Sequence, residues 1–218
     1  MKTKITPILL CTIAEFIAVS VLSVVFKVEF YNALPLLISA VVMFMQTGVS
    51  RYAFLVGGIN SVLYSLVYFS MELYSGALSA IAISFPLQIL TFVNWTKNTR
   101  RGKTDIKCFS KKGRLLLFVG MAAVWVVLYG LFSVMDSPYI LFDNTVTVIG
   151  MASTFLCLFR YSEYSVFQIV SSTIRVVLFV NMTADDPSRI IWLIHSVYCV
   201  ICAAATFRKT HKGIRSER

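Results

Sequence analysis

Eight stretches of almost unbroken apolar residues divide this chain. They run from Ile5 to Phe26, Tyr31 to Thr47, Tyr52 to Ser70, Tyr74 to Trp95, Leu115 to Val134, Phe142 to Phe159, Glu163 to Asn181 and Ile190 to Phe207. A bilayer's hydrocarbon core is crossed by a helix of roughly 20 apolar residues, so each stretch predicts a membrane span, the second and sixth being the shortest. Gly57 and Gly58 in the third stretch and Pro86 in the fourth are points where a helix is expected to thin or break. The polar connections between stretches are short, which leaves no room for an appended enzyme domain.

The charged positions set a direction across the membrane, because Lys and Arg collect on the cytoplasmic side. Between Thr96 and Arg114 lie Lys97, Arg100, Arg101, Lys103, Lys107, Lys111, Lys112 and Arg114 against the single acid Asp105. Arg208, Lys209, Lys212, Arg215 and Arg218 follow the last stretch. Four spans separate these two basic segments, so both face one side. Alternation then places Lys2, Lys4, Arg51 and Arg160 on that side too. Glu29, Glu72, Asp136, Asp143, Asp185 and Asp186 fall opposite, with only Lys27 and Arg189. Eight spans with both termini in the cytoplasm satisfy every connection.

Composition agrees. The 218 residues are 58% hydrophobic and 14% charged, whereas a soluble domain carries roughly a quarter charged residues. The net charge of +10 is explained by topology and by anionic lipid headgroups, so no nucleic-acid partner is expected. The basic, apolar N-terminus has no small-x-small cleavage site and reads as a retained helix. Cys11, Cys108, Cys157, Cys199 and Cys202 are odd in number and mostly sit in apolar runs, which argues against a disulfide framework. Cys199 and Cys202 form a C-x-x-C without a second pair or a nearby histidine set, so helix packing is expected there, with no metal and no cofactor.

The spans group as one, three, one and three. The expected units are residues 1–28, an N-terminal helix; 29–98, a three-helix bundle; 99–138, a basic cytoplasmic loop and linker helix; 139–208, a second bundle; and 209–218, a basic tail. A single linker makes both triplets run in the same sense, as in carriers built from parallel repeats. Arg51-Tyr52 and Arg160-Tyr161, each followed by an aromatic and then a small polar residue, give this weak internal support, as do Asn32 and Asn144.

No phosphate-binding loop, His-Glu metalloprotease pair, Gly-x-Ser-x-Gly turn or paired intramembrane carboxylates are visible, so the chain is not expected to be an enzyme. Uncharged polar and aromatic residues inside the spans remain. Tyr164, Phe167 and Ser171 share one helix face; such a face suits stacking on a planar heterocycle, although aromatics near the inner boundary more often form an interfacial belt. Asn60, Gln88, Asn144, Thr145, Thr147 and Gln168 add donors and acceptors at membrane depth, where each either bonds another helix or contacts a ligand. His195 reads as a packed histidine. Arg175 is expected to snorkel outward past Asn181, and Glu15 either is protonated, pairs with a base or marks proton coupling.

The segment from Arg160 to Ser171 resembles the signature of PnuC-type vitamin transporters, a basic residue, then Trp, then Trp or Phe, then a β-branched or small residue, then Asn or Asp. Arg160, Phe167 and Ile169 match; Tyr164 stands where Trp is usual and Ser171 where Asn or Asp is usual. Gly58 to Asn98, with Tyr64, Leu73-Tyr74, Phe85-Pro86-Leu87-Gln88 and Asn94-Trp95, resembles that family's first repeat. The resemblance covers about Asn32 to Thr210.

It implies an all-α, SWEET-like fold of two parallel three-helix bundles joined by a linker helix, with an extra N-terminal helix. It also implies facilitated uptake of nicotinamide riboside or a related unphosphorylated vitamin across a bacterial inner membrane, with trapping by a cytoplasmic kinase that need not touch the carrier. Tyr164, Phe167, Ser171 and Gln88 would line the site by that resemblance; Asn60, Asn144 and Thr147 are added from depth and repeat position. Thiamine, riboflavin or a deoxynucleoside are alternative cargoes. A non-transporting membrane scaffold and a proton-coupled carrier are the rival functions, and a homo-oligomer is compatible with the pattern.

Overall fold

The computed structural model describes residues 7–100, 103–104, 106–135 and 137–216. Lys2, Lys4, Arg101, Asp105, Asp136 and Arg218, used above to orient the chain, lie outside the described residues. Helices α1 (Pro7–Val25), α2 (Phe30–Thr47) and α3 (Tyr52–Ser70) come first. A composite span follows, made of α4 (Tyr74–Ser79), a π-helical turn (Ala80–Ser84) and α5 (Phe85–Lys97). Beyond it lie α6 (Lys111–Phe132), α7 (Ile140–Leu158), α8 (Tyr164–Asp185) and α9 (Ile190–Ser216). Eight helical segments among the described residues are long and apolar enough to cross a membrane. Their apolar outer faces, with Leu116 on α6 still 72% exposed, need lipid rather than water around them.

The predicted weak points behave differently. Gly57 and Gly58 leave α3 continuous, whereas Pro86 sits just after the π-helical turn. Proline has no N–H and its ring crowds the carbonyl one turn back, and a π-turn relieves that clash by shifting the bonding register. The span thus stays helical through the proline.

α2, α3 and the composite span pack together, as do α7, α8 and α9; α1 lies against α2 and α9, and α6 leans mainly on α7. Val19, Leu36, Val67, Phe179, Ile191 and Trp192 form a core that draws on five of these helices. Phe54, Trp95, Leu156, Cys157 and Tyr164 form another toward the opposite end.

The basic connection is folded rather than a free linker. Thr99–Arg100 and Lys103–Thr104 pair as a two-stranded hairpin. The Lys107 amide donates to the Arg160 carbonyl at 2.8 Å, and Glu163 accepts from the Phe109 amide at 3.0 Å and from Arg114 at 2.8 Å. At the other end of the molecule the Tyr139 hydroxyl donates to Asp185, which pushes its phenol up to about 12. Hydrogen bonds from Ser188 lower Asp186, which is also paired with Arg189 at 3.0 Å. The basic residues after Phe207 continue α9 to Ser216, since Lys and Arg are good helix formers and favour a helix C-terminus.

Four turns close on left-handed residues other than glycine: Lys27, Val49, Glu72 and Arg160, with φ of 52°, 57°, 59° and 64°. An L-residue there costs about 1–2 kcal/mol, and glycine is the usual occupant after a helix. Glu72 is exposed. Glu72→Gly is therefore expected to stabilise the protein by about 1 kcal/mol, read as a raised Tm in detergent; an unchanged or lower Tm counts against that strain.

Candidate functional site

The helix period decides which side chains meet. On α8 the residues Tyr164, Gln168, Ser171, Arg175, Leu178 and Phe179 recur three, four or seven apart, one stripe along the helix. Asp143, Thr147, Gly150 and Thr154 form the matching stripe on α7. Between these stripes and α2, α3 and the composite span lies a cavity of about 240 Å³. Ser61, Tyr64 and Tyr68 of α3, Ser79 and Ser84 around the π-turn, and Gln88 of α5 complete its polar wall. A smaller cavity of about 100 Å³ adjoins it, sharing Gln88, Ser153, Thr154 and Gln168 and lined further on by Tyr164. The Gln168 amide donates to Gln46 Oε1 at 2.6 Å, a bond between α8 and α2 at the boundary of the two.

Gln88, Thr147 and Ser171 thus meet on the main cavity. Gln88 donates to Ser61 Oγ at 3.0 Å, and a Cβ on Gly57 would fall 2.3 Å from its Oε1, so a side chain there would push that amide from its place. Ser171 Oγ is 3.4 Å from the Val146 carbonyl. Tyr164 is buried beside Trp95, ring centroids 6.4 Å apart, on the smaller cavity. Phe167 faces Phe118 of α6 at 6.0 Å, away from both walls.

Asn60 and Asn144 also stand off the wall. Asn60 donates to the Pro35 carbonyl of α2 at 2.9 Å. Asn144 donates to the Trp125 carbonyl of α6 at 2.8 Å and accepts from Ser75 Oγ at 3.2 Å. Beside it Asp143 accepts from the amides of Ser75 at 2.9 Å and Gly76 at 3.1 Å. A carboxylate on the open amides at a helix start is a favourable pairing.

Two intramembrane charges find their places. Glu15 does not face lipid; its carboxylate is bonded to His195 Nδ1, and the other ring nitrogen lies 3.2 Å from Tyr64 Oη and 3.3 Å from Cys199 Sγ. Arg175 does not snorkel toward Asn181. It is ten residues short of the end of α8, about 15 Å along the axis, and it lines the central cavity. Tyr68, Ser172 and Asp143 on the wall had not been singled out as ligand contacts. The stripe through Ser171 and Arg175 was the available signal for the arginine. Cys199 and Cys202 remain buried free thiols.

A cavity with polar groups on its wall, lying between two groups of membrane-crossing helices, is an arrangement that solute carriers use. The family model described as nicotinamide mononucleotide transporter matches residues 29–211. The chain belongs to that family and is a multi-pass membrane transporter, not an enzyme. Its fold is similar to a solved structure described as the crystal structure of the vitamin B3 transporter PnuC, with a TM-score of 0.67 over 92% of each chain at 16% identity. No curated protein matches the sequence.

The Asp143 contact allows only glycine at its donor: a Cβ on Gly76 would fall 2.9 Å from Asp143 Oδ1 and 3.1 Å from Tyr68 Cδ2. Gly76→Ala is expected to cost about 1–3 kcal/mol by displacing a bonded carboxylate. Gly120→Ala on α6, where nothing lies within 4 Å, is the control and is expected to be neutral. Equal thermal shifts for the two variants would remove the contact's importance.

Proposed function

We propose that the protein imports nicotinamide riboside, or a close pyridine nucleoside, by facilitated diffusion across a bacterial inner membrane. A cytoplasmic kinase then traps the substrate by phosphorylation. The observation that carries this reading is the polar cavity between the helix groups, with Gln88 of one group and Ser171 and Thr147 of the other on its wall, in a chain of the nicotinamide mononucleotide transporter family. A packed, dry interface around Gln88 would instead have suited a scaffold.

In this reading Gln88, Ser171 and Thr147 hydrogen-bond the sugar and amide of the substrate. Tyr164 takes the heterocycle as it passes the smaller cavity, and Phe167 packs against the apolar cluster that holds Tyr164. Asn60 and Asn144 act indirectly, fixing α2, α6 and the start of α4 around the cavity. The basic connection and both termini face the cytoplasm by the charge bias of the loops.

The test is uptake into liposomes of labelled nicotinamide riboside, thiamine, riboflavin and a deoxynucleoside, with no ion gradient or ATP and with trapped kinase as a variable. Saturable equilibration of the riboside, turned into accumulation only by the kinase, is expected. Movement of another vitamin alone reassigns the cargo, and accumulation without kinase removes facilitated diffusion. Ser171→Ala should weaken riboside affinity roughly five- to tenfold, the worth of one hydrogen bond of about 1 kcal/mol, without changing membrane insertion. Phe167→Ala should lose uptake with insertion intact by loosening the packing around Tyr164, and unchanged uptake would remove that supporting role.

A further inference from the structure

The π-turn stands between two cavities: Ala80 and Ser84 line the central one, and Ile83 lines a second of about 590 Å³. Leu87 of α5, Met151 of α7 and a stripe on α6, Gly113, Leu116, Gly120 and Val124, also face this second cavity, and no side chain on its wall has an oxygen or a nitrogen. α6 packs along α7 but makes little contact with α5, which leaves a groove open to lipid between them. Just beyond Val124 the helix is pinned, since Asn144 donates to the Trp125 carbonyl at 2.8 Å and the Trp125 indole donates to Thr145 at 3.0 Å.

From Gly113 to Val124 the groove follows α6 for about 16 Å at 1.5 Å per residue. Half of the roughly 30 Å hydrocarbon core has about that length, so the groove fits an acyl chain of a single leaflet, and a wholly apolar space does not hold water instead. Its Gly113 end is basic. Lys112, four residues before Leu116, continues the α6 stripe and is exposed; Lys107 is exposed too and lies two residues before Phe109, which lines this end. Arg114 and Glu163 are paired with each other at 2.8 Å, so their charges offset. We propose that the groove binds an anionic phospholipid from the leaflet next to the basic connection, with one acyl chain between α6 and α5 and its phosphate at Lys107 and Lys112.

The two parts of the site do different work. Any phospholipid supplies an acyl chain, so the groove alone does not choose among headgroups; the lysines do, because a basic side chain at the membrane surface attracts anionic lipid. Met151 lines both the groove and the central cavity, so the acyl chain packs against the partition between them. A lipid bound there stabilises the folded protein by mass action. Nothing lies within 4 Å of a Cβ on Gly120, so a larger side chain at that position enters the groove without displacing protein. Binding of this lipid does not depend on which solute the central cavity takes.

The experiment titrates the delipidated, purified full-length protein with phosphatidylglycerol or with phosphatidylcholine of the same acyl chains, and reads retained lipid by native mass spectrometry and Tm in detergent. Wild type is expected to retain one phosphatidylglycerol per chain, to bind it at least about fivefold more tightly than phosphatidylcholine, and to gain Tm from it. Gly120→Leu should lose retention of both lipids while keeping the lipid-free Tm of wild type. Ala122→Leu, which adds the same bulk to α6 outside the groove, should retain lipid as wild type does. Lys107→Glu with Lys112→Glu should abolish the preference for phosphatidylglycerol and still retain phosphatidylcholine. The comparison of the two lipids on wild type needs no variant, so misfolding of a variant leaves it intact. Equal binding of both lipids by wild type, or undiminished retention by folded Gly120→Leu, overturns the proposal. A wild type that retains neither lipid and is an oligomer that Gly120→Leu dissociates overturns it as well, and assigns the groove to a second copy of the chain.

Discussion

Inside a bilayer there is no water to satisfy a helix end, so every terminal amide and carbonyl there must find a protein partner. In this molecule the composite span and α7 meet that demand for one another at both ends. Asp143, in the first turn of α7, takes the open amides of Ser75 and Gly76 at the start of α4. At the far end Asn94 and Trp95 of α5 donate to the last carbonyls of α7, Leu158 at 2.6 Å and Cys157 at 2.8 Å. Two helical spans clasped at their ends are free to separate between them. The cavity lies where the π-turn interrupts one span and where Ser79, Ala80, Ser84, Gly150 and Ser153 put small side chains on its wall. The cavity is a consequence of that geometry.

The first helix is tied in by a different device. Outside the family-matched residues, α1 buries Glu15 to 4% exposure against His195. A buried acid–base pair is a poor source of net stability, yet removing one partner is costly because the other is left uncompensated. Its effect is therefore on position: Glu15 holds the imidazole, and the imidazole holds Tyr64 Oη on the cavity wall at 3.2 Å. A second bond runs the same way, from Thr12 to the Tyr198 hydroxyl at 2.8 Å, with Tyr198 in turn on the Ala40 carbonyl at 3.0 Å. Both chains join α1 to α9 and then to the first helix group. That helix orients cavity residues without touching the cavity.

The membrane spans were legible in the sequence because hydropathy over about twenty residues is a local property, and so was the shared face of Tyr164 and Ser171, which follows from helix period alone. Three features needed the third dimension. Glu15 and His195 are 180 residues apart, so nothing local distinguishes pairing from protonation. Arg175 shares a stripe with Ser171, but the period fixes only which residues share a face, not which way that face turns, and an outward snorkel was equally compatible with its position. Asn60, Asn144 and Gln88 have the same chemistry at the same depth; the two asparagines find carbonyls or hydroxyls on neighbouring helices, while Gln88 bonds Ser61 and stays on the cavity wall. Composition cannot separate those outcomes, since interhelical bonding and ligand contact draw on the same residues.

A wall of hydroxyls, amides and one unpaired guanidinium is the opposite of what stability selects at this depth, where each unmade hydrogen bond costs about 1–3 kcal/mol. The surrounding structure shows where that cost is offset: the caps at both ends of α7, the Trp125 indole on Thr145 at 3.0 Å that anchors the otherwise lipid-facing α6, and the apolar cluster around Trp192 and Phe179. The polar groups that serve the fold are bonded and sit at helix ends or on side faces. On the cavity wall Ser61, Gln88 and Gln168 are bonded as well, while Arg175 makes no hydrogen bond among the described residues. Polar groups held in place by such bonds on a cavity wall are what a solute needs in order to exchange its water for protein and give it up again on the other side.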